Sequence, residues 1–236
     1  MKFGEMRKVT LLDYPDKAAC TVFTAGCNFR CPFCQNVSLL EQSSSEQVYD
    51  SSDVLEFLQT RKGLLDGVCI SGGEPLINET LEAFIKEVKA LGFLVKLDTN
   101  GSNPEILERL ISNELLDYVA MDVKNSKEKY AKTIGLPEYD VSKNYDVSKI
   151  DESIKLLLSG KIQYEFRTTL VREFHTAEDL TALTNWIKGA ENYFLQKFIA
   201  SEGVLQSGLN GFSDEEMIAM LKTAKKAVPT AKLRGM

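Results

Sequence analysis

The chain holds 236 residues, 44% hydrophobic and 26% charged, a balance that excludes a disordered or fibrous protein and suffices to bury a core without cross-links. Lys and Arg number 28 against 34 Asp and Glu, a net charge of −6 with the basic residues scattered among acids, which removes the electrostatic footprint of a nucleic-acid binder. No apolar run reaches the about 18 residues of a membrane span, and the start Met1-Lys2-Phe3-Gly4-Glu5 lacks the apolar block of a secretory signal, so a cytoplasmic protein away from membranes is expected.

In chain order, an extended pair is predicted at the N-terminus, Lys2–Leu12 leading across Tyr14-Pro15-Asp16-Lys17 to Ala18–Phe23. Extended, β-rich runs then recur at Ala19–Thr24, Gly67–Ser71, Phe93–Thr99, Asp117–Val123, Ile162–Val171 and Tyr193–Ile199, with a short last run at Ala231–Arg234. Helix starts are marked by Asn78 ahead of Leu81, Phe84, Ile85 and Val88, by Asn103 before Pro104, by Thr176, and by Ser213 with Glu216 three residues later. About six βα units and no internal repeat result, an α/β chain with a parallel sheet, expected as one domain over residues 1–236. The segment Asn125–Lys149 exceeds the usual connection and is the candidate partner-facing or lid loop.

Strand parity adds chemistry. Ile162, Tyr164, Phe166 and Leu170 share one face of their strand, and Gln163, Glu165, Arg167 and Thr169 the other. Phe93, Val95 and Leu97 alternate with Lys96, Asp98 and Asn100, and Asp122 shares a face with Lys124. A polar inner face points to an open or widened barrel around a charged ligand, with a half-exposed sheet as the alternative.

Three of the five cysteines, Cys27, Cys31 and Cys34, fall within eight residues as CxxxCxxC, directly after a strand. They are too close for a disulfide framework, and zinc would need a fourth ligand from a second cysteine pair that the chain lacks. Three thiolates can instead hold three irons of a [4Fe–4S] cluster and leave the fourth open to a chelating ligand. Cys20 and Cys69 lie in apolar strand runs and are expected as buried thiols. His175, the one histidine, reads equally as a surface residue at a helix start or as a catalytic group.

With Asp13-Tyr14-Pro15, the run from Phe23 to Asn36, Ser71-Gly72-Gly73-Glu74-Pro75 and Asp98-Thr99-Asn100-Gly101, nearly the whole chain resembles the radical S-adenosylmethionine (SAM) superfamily. Within it the motifs look like the activating enzymes of glycyl radical enzymes, and most like the activating proteins of anaerobic ribonucleoside-triphosphate reductases. The resemblance implies a partial or irregular (β/α) TIM-like barrel, a [4Fe–4S] cluster on Cys27, Cys31 and Cys34, and SAM chelating the open iron. Reductive cleavage of SAM would give a 5′-deoxyadenosyl radical that takes hydrogen from a glycine Cα of the partner, with no protein acid or base required.

By the same resemblance Gly72, Gly73 and Glu74 hold the SAM amino group, and Phe33, with its backbone against adenine, joins Gln35 in the SAM-binding set. Asp98 and Asp122 are candidates for a monovalent cation beside SAM, Thr99 joins the cofactor-binding set at the end of the same strand as Asp98, Lys124 is a candidate for the SAM carboxylate, and Gln196 for the adenosine side. Arg167 could serve the carboxylate or ribose through its donor fork, or form an ion pair with Glu165 or Asp122. Residues Asn36–Ser52 hold no cysteine, so a single cluster is implied and the electron comes from outside, from flavodoxin or ferredoxin. A radical SAM enzyme acting on another peptide or small molecule, and a non-catalytic iron–sulfur electron carrier, are the alternatives.

Overall fold

A computed structural model describes residues 1–40, 49–135, 146–201 and 203–235. In chain order its main elements are β1 (Lys2–Thr10), β2 (Ala19–Thr24), β3 (Tyr49–Asp50), α1 (Ser51–Gln59), β4 (Gly67–Gly72), α2 (Leu81–Ala90), β5 (Leu94–Thr99), α3 (Pro104–Ser112) and β6 (Tyr118–Asp122). There follow α4 (Tyr130–Thr133), α5 (Ser148–Leu158), β7 (Gln163–Leu170), α6 (Ala177–Trp186), β8 (Tyr193–Lys197), α7 (Asp214–Ala224) and β9 (Lys232–Arg234). The residues group into two compact units: Met1–Asn28 with Ser38–Ala120 and Lys161–Gln163, and Phe29–Val37 with Met121–Gly160 and Tyr164–Met236.

In the first unit the strand order is β3-β1-β2-β4-β5-β6. The predicted N-terminal pair is an antiparallel hairpin, with Phe3 opposite Thr24 and Arg7 opposite Thr21. From β2 to β5 the strands are parallel, with Thr21, Cys69 and Lys96 side by side and Phe23 beside Ser71. The amphipathic α2 packs on β5. Its Phe84, Ile85 and Val88 are buried, and the Phe84 ring lies 4.9 Å from that of Phe3; each such side chain contributes about 1.5–3 kcal/mol by leaving water. In the second unit β7, β8 and β9 run parallel, over a core that includes Tyr130, Ile154, Phe166, Leu183 and Tyr193.

The starts at Asn103-Pro104, Thr176 and Ser213 hold, the latter two as reciprocal capping boxes with Asp179 and Glu216. Asn78 does not start a helix: it closes a 3-10 turn, Pro75–Ile77, and α2 begins after Thr80. The reason is local, since the Glu74 side chain caps the turn that Pro75 opens. Among the described residues three helices lie outside the predicted set. The start of α1 lies in a polar run with only Val54 and Leu58 buried. The single turn α4 falls within the segment expected as a loop, and α5 begins at its end, at Ser148, with Ile150, Ile154 and Leu157 at helical spacing. Within that segment Asn125, Ser126, Tyr130, Thr133 and Ile134 are buried, and residues 136–145 lie outside the described ones.

Candidate functional site

The path of the cysteine loop is set where β2 ends. Gly26 adopts φ +87° and donates its N–H to Leu39 O at 2.7 Å, while its own carbonyl accepts from Glu74 N at 2.8 Å. One residue before Glu74, Gly73 N donates to Thr24 O, two residues before Gly26, at 2.9 Å. A Cβ on Gly73 would stand 2.0 Å from Gly26 O, and one on Gly72, where φ is +122°, 2.2 Å from Thr24 N. Sequence reasoning gave the two glycines to the close approach of a ligand; the structure shows that they first admit the chain's own cysteine loop.

Glu74 is fully buried, 0% exposed. Its Oε1 accepts from Leu76 N at 3.0 Å and Thr99 Oγ1 at 2.8 Å, and its Oε2 from Asn100 N at 2.6 Å. The carboxylate thus joins the C-terminal ends of β4 and β5. Asn28, inside the cysteine loop, completes the set: its Oδ1 accepts from Asn100 Nδ2 at 2.9 Å and its Nδ2 donates to Ser102 Oγ at 2.8 Å. Sequence reasoning passed over Asn28 and Ser102, and only the Asn-Gly turn at Asn100-Gly101 hinted at them.

The polar face predicted for β5 is enclosed. Lys96 is 2% exposed; its ammonium is ion-paired with Asp98, with Cys69 Sγ at 3.7 Å. Ser71 Oγ donates to the other Asp98 oxygen at 3.0 Å. Cys69 and Cys20 are buried, as expected, and burial pushes the Cys20 thiol up to about 12.

In the second unit the later part of the loop is laced from two sides. Arg30 N donates to Ile134 O at 2.9 Å, and a Cβ on Gly135 would lie 1.9 Å from Arg30 O. Leu205 N donates to Cys34 O at 3.1 Å and Gln206 N to Pro32 O at 2.8 Å. Gln35 donates through Nε2 to Ile199 O at 2.8 Å. Phe33 is buried, with its ring 5.8 Å from Phe174 and 6.5 Å from His175.

His175 is 2% exposed rather than at the surface. Its Nε2 meets Lys124 O at 2.8 Å and its Nδ1 lies 3.1 Å from Val171 O and Val171 N. Burial lowers its pKa against these bonds, which favours a neutral brace over an acid–base group.

Asp122 is held by two cations, Lys124 Nζ at 2.9 Å and Arg167 Nε at 2.8 Å. Burial opposes ionisation of Asp122, but the Arg167 and Lys124 charges outweigh it and keep the carboxyl well below its ordinary range. Burial likewise works against the Lys124 charge, and is overcome by Asp122 and by the sulfur of Cys31. The predicted ion pair of Arg167 with Asp122 forms. Glu165 takes both guanidinium arms of Arg234, at 2.6 and 2.8 Å. Gln196 sits beside Thr169, whose Oγ1 lies 3.4 Å from Gln196 Oε1.

Each unit therefore gathers a part of the expected set: Gly72, Gly73, Glu74, Asp98 and Thr99 with Cys27 in one, Phe33, Gln35, Asp122, Lys124, Arg167 and Gln196 with Cys31 and Cys34 in the other. None of the five cysteines is in a disulfide. Among the described residues no group of three or more His, Cys, Asp or Glu converges on one metal ion; thiolates that each bind a different iron of a cluster need not do so. The donor set of three thiols, one of them with Lys124 as a near cation, fits such a cluster. Among the described residues no helix is long and apolar enough to cross a membrane.

Comparison with known proteins agrees with the chemistry. The profile of the Radical SAM superfamily matches residues 21–170. A Methanocaldococcus jannaschii protein named provisionally as a glycyl-radical enzyme activating enzyme is 34% identical over 192 residues, covering 80% of this chain and 77% of that protein. The GTP 3′,8-cyclase of Helicobacter pylori is 25% identical over 214 residues, covering 89% of this chain and 64% of its own. Among solved structures, Streptococcus suis SuiB bound to S-adenosylmethionine superposes with a TM-score of 0.68 at 12% identity over 90% of this chain. The chain spans 49% of SuiB, so this likeness speaks for the fold alone.

Proposed function

The chain belongs to the radical SAM superfamily, and from that premise we propose that it activates a glycyl radical enzyme by removing hydrogen from a glycine Cα of its partner. The superfamily uses a [4Fe–4S] cluster and SAM, and the α/β fold of parallel βα units is that of its domains. The cluster, when bound, supplies the electron that splits the SAM sulfonium. Cys27, Cys31 and Cys34 are the proposed thiolate ligands.

The observation that carries the reading is the backbone clamp of Glu74 N on Gly26 O at 2.8 Å, which fixes the start of the cysteine loop against the Gly-Gly-Glu turn. With the Glu74 side chain bonded to Leu76, Thr99 and Asn100, the proposed role of Gly72 and Gly73 toward the SAM amino group falls to their backbone. Lys124 and Arg167 both meet Asp122, and cationic donors gathered in this way suit the SAM carboxylate. Phe33, Gln35 and Gln196 complete the proposed SAM-binding set, braced by His175 and the Leu205–Gln206 backbone.

We assign the partner as an anaerobic ribonucleotide reductase, on the motifs shared with that family's activating proteins, and the electron donor as flavodoxin or ferredoxin. A second reading, cyclisation of GTP, is favoured by the Helicobacter pylori relative. The test is anaerobic reconstitution with iron, sulfide, reductant and SAM, followed by electron paramagnetic resonance of a candidate reductase. A glycyl radical that disappears with Cys27→Ala, Cys31→Ala or Cys34→Ala supports activation. Release of 5′-deoxyadenosine without that radical, together with consumption of GTP, favours cyclisation, and no 5′-deoxyadenosine at all refutes both.

A further inference from the structure

Lys96 is a buried charged side chain of the first unit that the proposed chemistry leaves unused, among the largest fully buried ones of the described residues. A lysine keeps its charge inside a protein only with a carboxylate partner, which Asp98 provides. Asp98 is engaged on both oxygens, one by Lys96 and the other by Ser71 Oγ at 3.0 Å. Cys69 Sγ lies 3.7 Å from the same ammonium.

Strand register explains the arrangement. Cys69 and Lys96 are direct partners across β4 and β5, and two residues further along each strand Ser71 and Asp98 share the same face. Asp122, the other acidic residue that the family resemblance assigns to a monovalent cation, carries two cationic partners of its own in the second unit. A metal ion beside Asp98 would meet a buried like charge, and one beside Asp122 would meet two. These residues do not fit a monovalent metal ion.

We propose that Lys96 is a built-in counter-cation, a positioning residue whose ammonium takes the place of a monovalent metal ion beside Asp98. The lysine ammonium is a compact single charge suited to carboxylate oxygen. Lys96 thus occupies one oxygen of Asp98 and holds the end of β5 in place without drawing on the salt of the medium. The inference deepens the reading above, on which it rests for the place of Asp98 near SAM, and it is tested by cation binding itself.

The experiment uses the anaerobically reconstituted protein in tetramethylammonium buffer and follows thallium(I), a probe for potassium-type sites, by nuclear magnetic resonance. Melting temperatures in potassium and tetramethylammonium chloride are compared alongside. The wild type is expected to show no saturable thallium site and equal melting temperatures in the two salts. Lys96→Ala is expected to melt lower, to bind thallium about tenfold or more tightly than the wild type, and to recover part of its melting temperature in potassium alone.

Saturable thallium binding by the wild type that Asp98→Asn abolishes overturns the proposal, as does a folded Lys96→Ala protein with no gain in cation binding. If Lys96→Ala does not fold, the wild-type titration decides. SAM binding, recorded on the same samples, separates this outcome from the proposed activity: its absence refutes the activity and leaves the thallium result standing.

Discussion

The Glu74 carboxylate accepts the backbone N–H of Asn100 at 2.6 Å, across 26 positions of sequence, and so locks the ends of two neighbouring parallel strands together. The residue that family resemblance gives to a ligand's ammonium is in this chain a structural anchor. It shapes the ligand turn through Leu76 N and the next strand through Thr99 Oγ1, while its backbone N–H holds the cysteine loop. One buried acid thereby ties three segments whose side chains the chemistry needs.

Replacing Glu74 by Ala is expected to unfold the site before it alters any ligand contact. The change strands the Thr99 hydroxyl and the Asn100 and Leu76 N–H groups in a buried place, at a cost of about 2–4 kcal/mol. Glu74→Gln keeps the volume and one acceptor oxygen and should lose roughly half as much. Thermal unfolding of the apo protein measures both; equal melting temperatures for wild type and Glu74→Ala would refute the anchoring role.

Gly73→Ala tests the clamp from the other side. The added methyl would meet Gly26 O at 2.0 Å with Cys27 Cβ at 3.3 Å, so the loop must move, at about 1–3 kcal/mol. Iron bound per chain after reconstitution should fall well below the wild-type level while the far-ultraviolet circular dichroism stays unchanged. Full iron loading by Gly73→Ala would show that the loop has room that this packing denies it.

What the sequence disclosed and what it hid divide along chain distance. CxxxCxxC is a local pattern, visible without the fold, though its role as a cluster ligand set belongs to the proposed function; the caps at Thr176 and Ser213 are set by residues three positions apart and were readable. The contact of Gly73 with Gly26 and the seat of His175 between Lys124 and Val171 depend on tertiary approach, which leaves no periodic trace. Neither reading of His175, surface residue or catalytic group, anticipates a buried brace, because one polar residue before a helix start looks the same whether a loop buries it or not. Arg167 had two acids in reach by parity, whereas the grip of Arg234 on Glu165, 69 positions away along the chain, could not be read from any local pattern.

Cysteine reactivity should separate the two thiol classes. Burial raises the Cys20 thiol from an ordinary 9.0 to about 12, so at pH 8 its thiolate fraction is about 1 in 10,000. Brief iodoacetamide treatment of the reduced apo protein at pH 8 should modify Cys34 and spare Cys20, as read by peptide mass spectrometry. Because the folded state holds this proton more tightly, its contribution to stability is complete below pH 9 and is lost as pH rises toward 12. Cys20→Ala should flatten the alkaline fall of the melting temperature.

The C-terminal strand is anchored by charge. Arg234 grips Glu165, which is 1% exposed, and its guanidinium stacks 3.7 Å over the Phe194 ring. Arg234→Ala leaves a buried carboxylate without its main partner, at about 3 kcal/mol. The double variant Arg234→Ala, Glu165→Gln removes that charge and should regain more than half of the loss in urea unfolding. Additive losses would mean that Arg234 works through its packing on Phe194 and not through Glu165.

The single histidine gives the chain one group that titrates between the acids and pH 7. Burial lowers the His175 pKa from 6.5, with its bonds to Lys124 and Val171 acting in opposition. Between that lowered value and 6.5 the unfolded chain therefore binds the proton and the folded chain does not. Stability is complete above pH 6.5 and falls as the pH drops through this window. The melting temperature of the wild type should begin to decline below pH 6.5, ahead of the carboxylates. His175→Gln, lower in stability throughout, should lose that early slope. If the two profiles run parallel from pH 7 to pH 5, His175 binds its proton as readily in the folded chain as in the unfolded one, and the neutral brace of Lys124 is refuted.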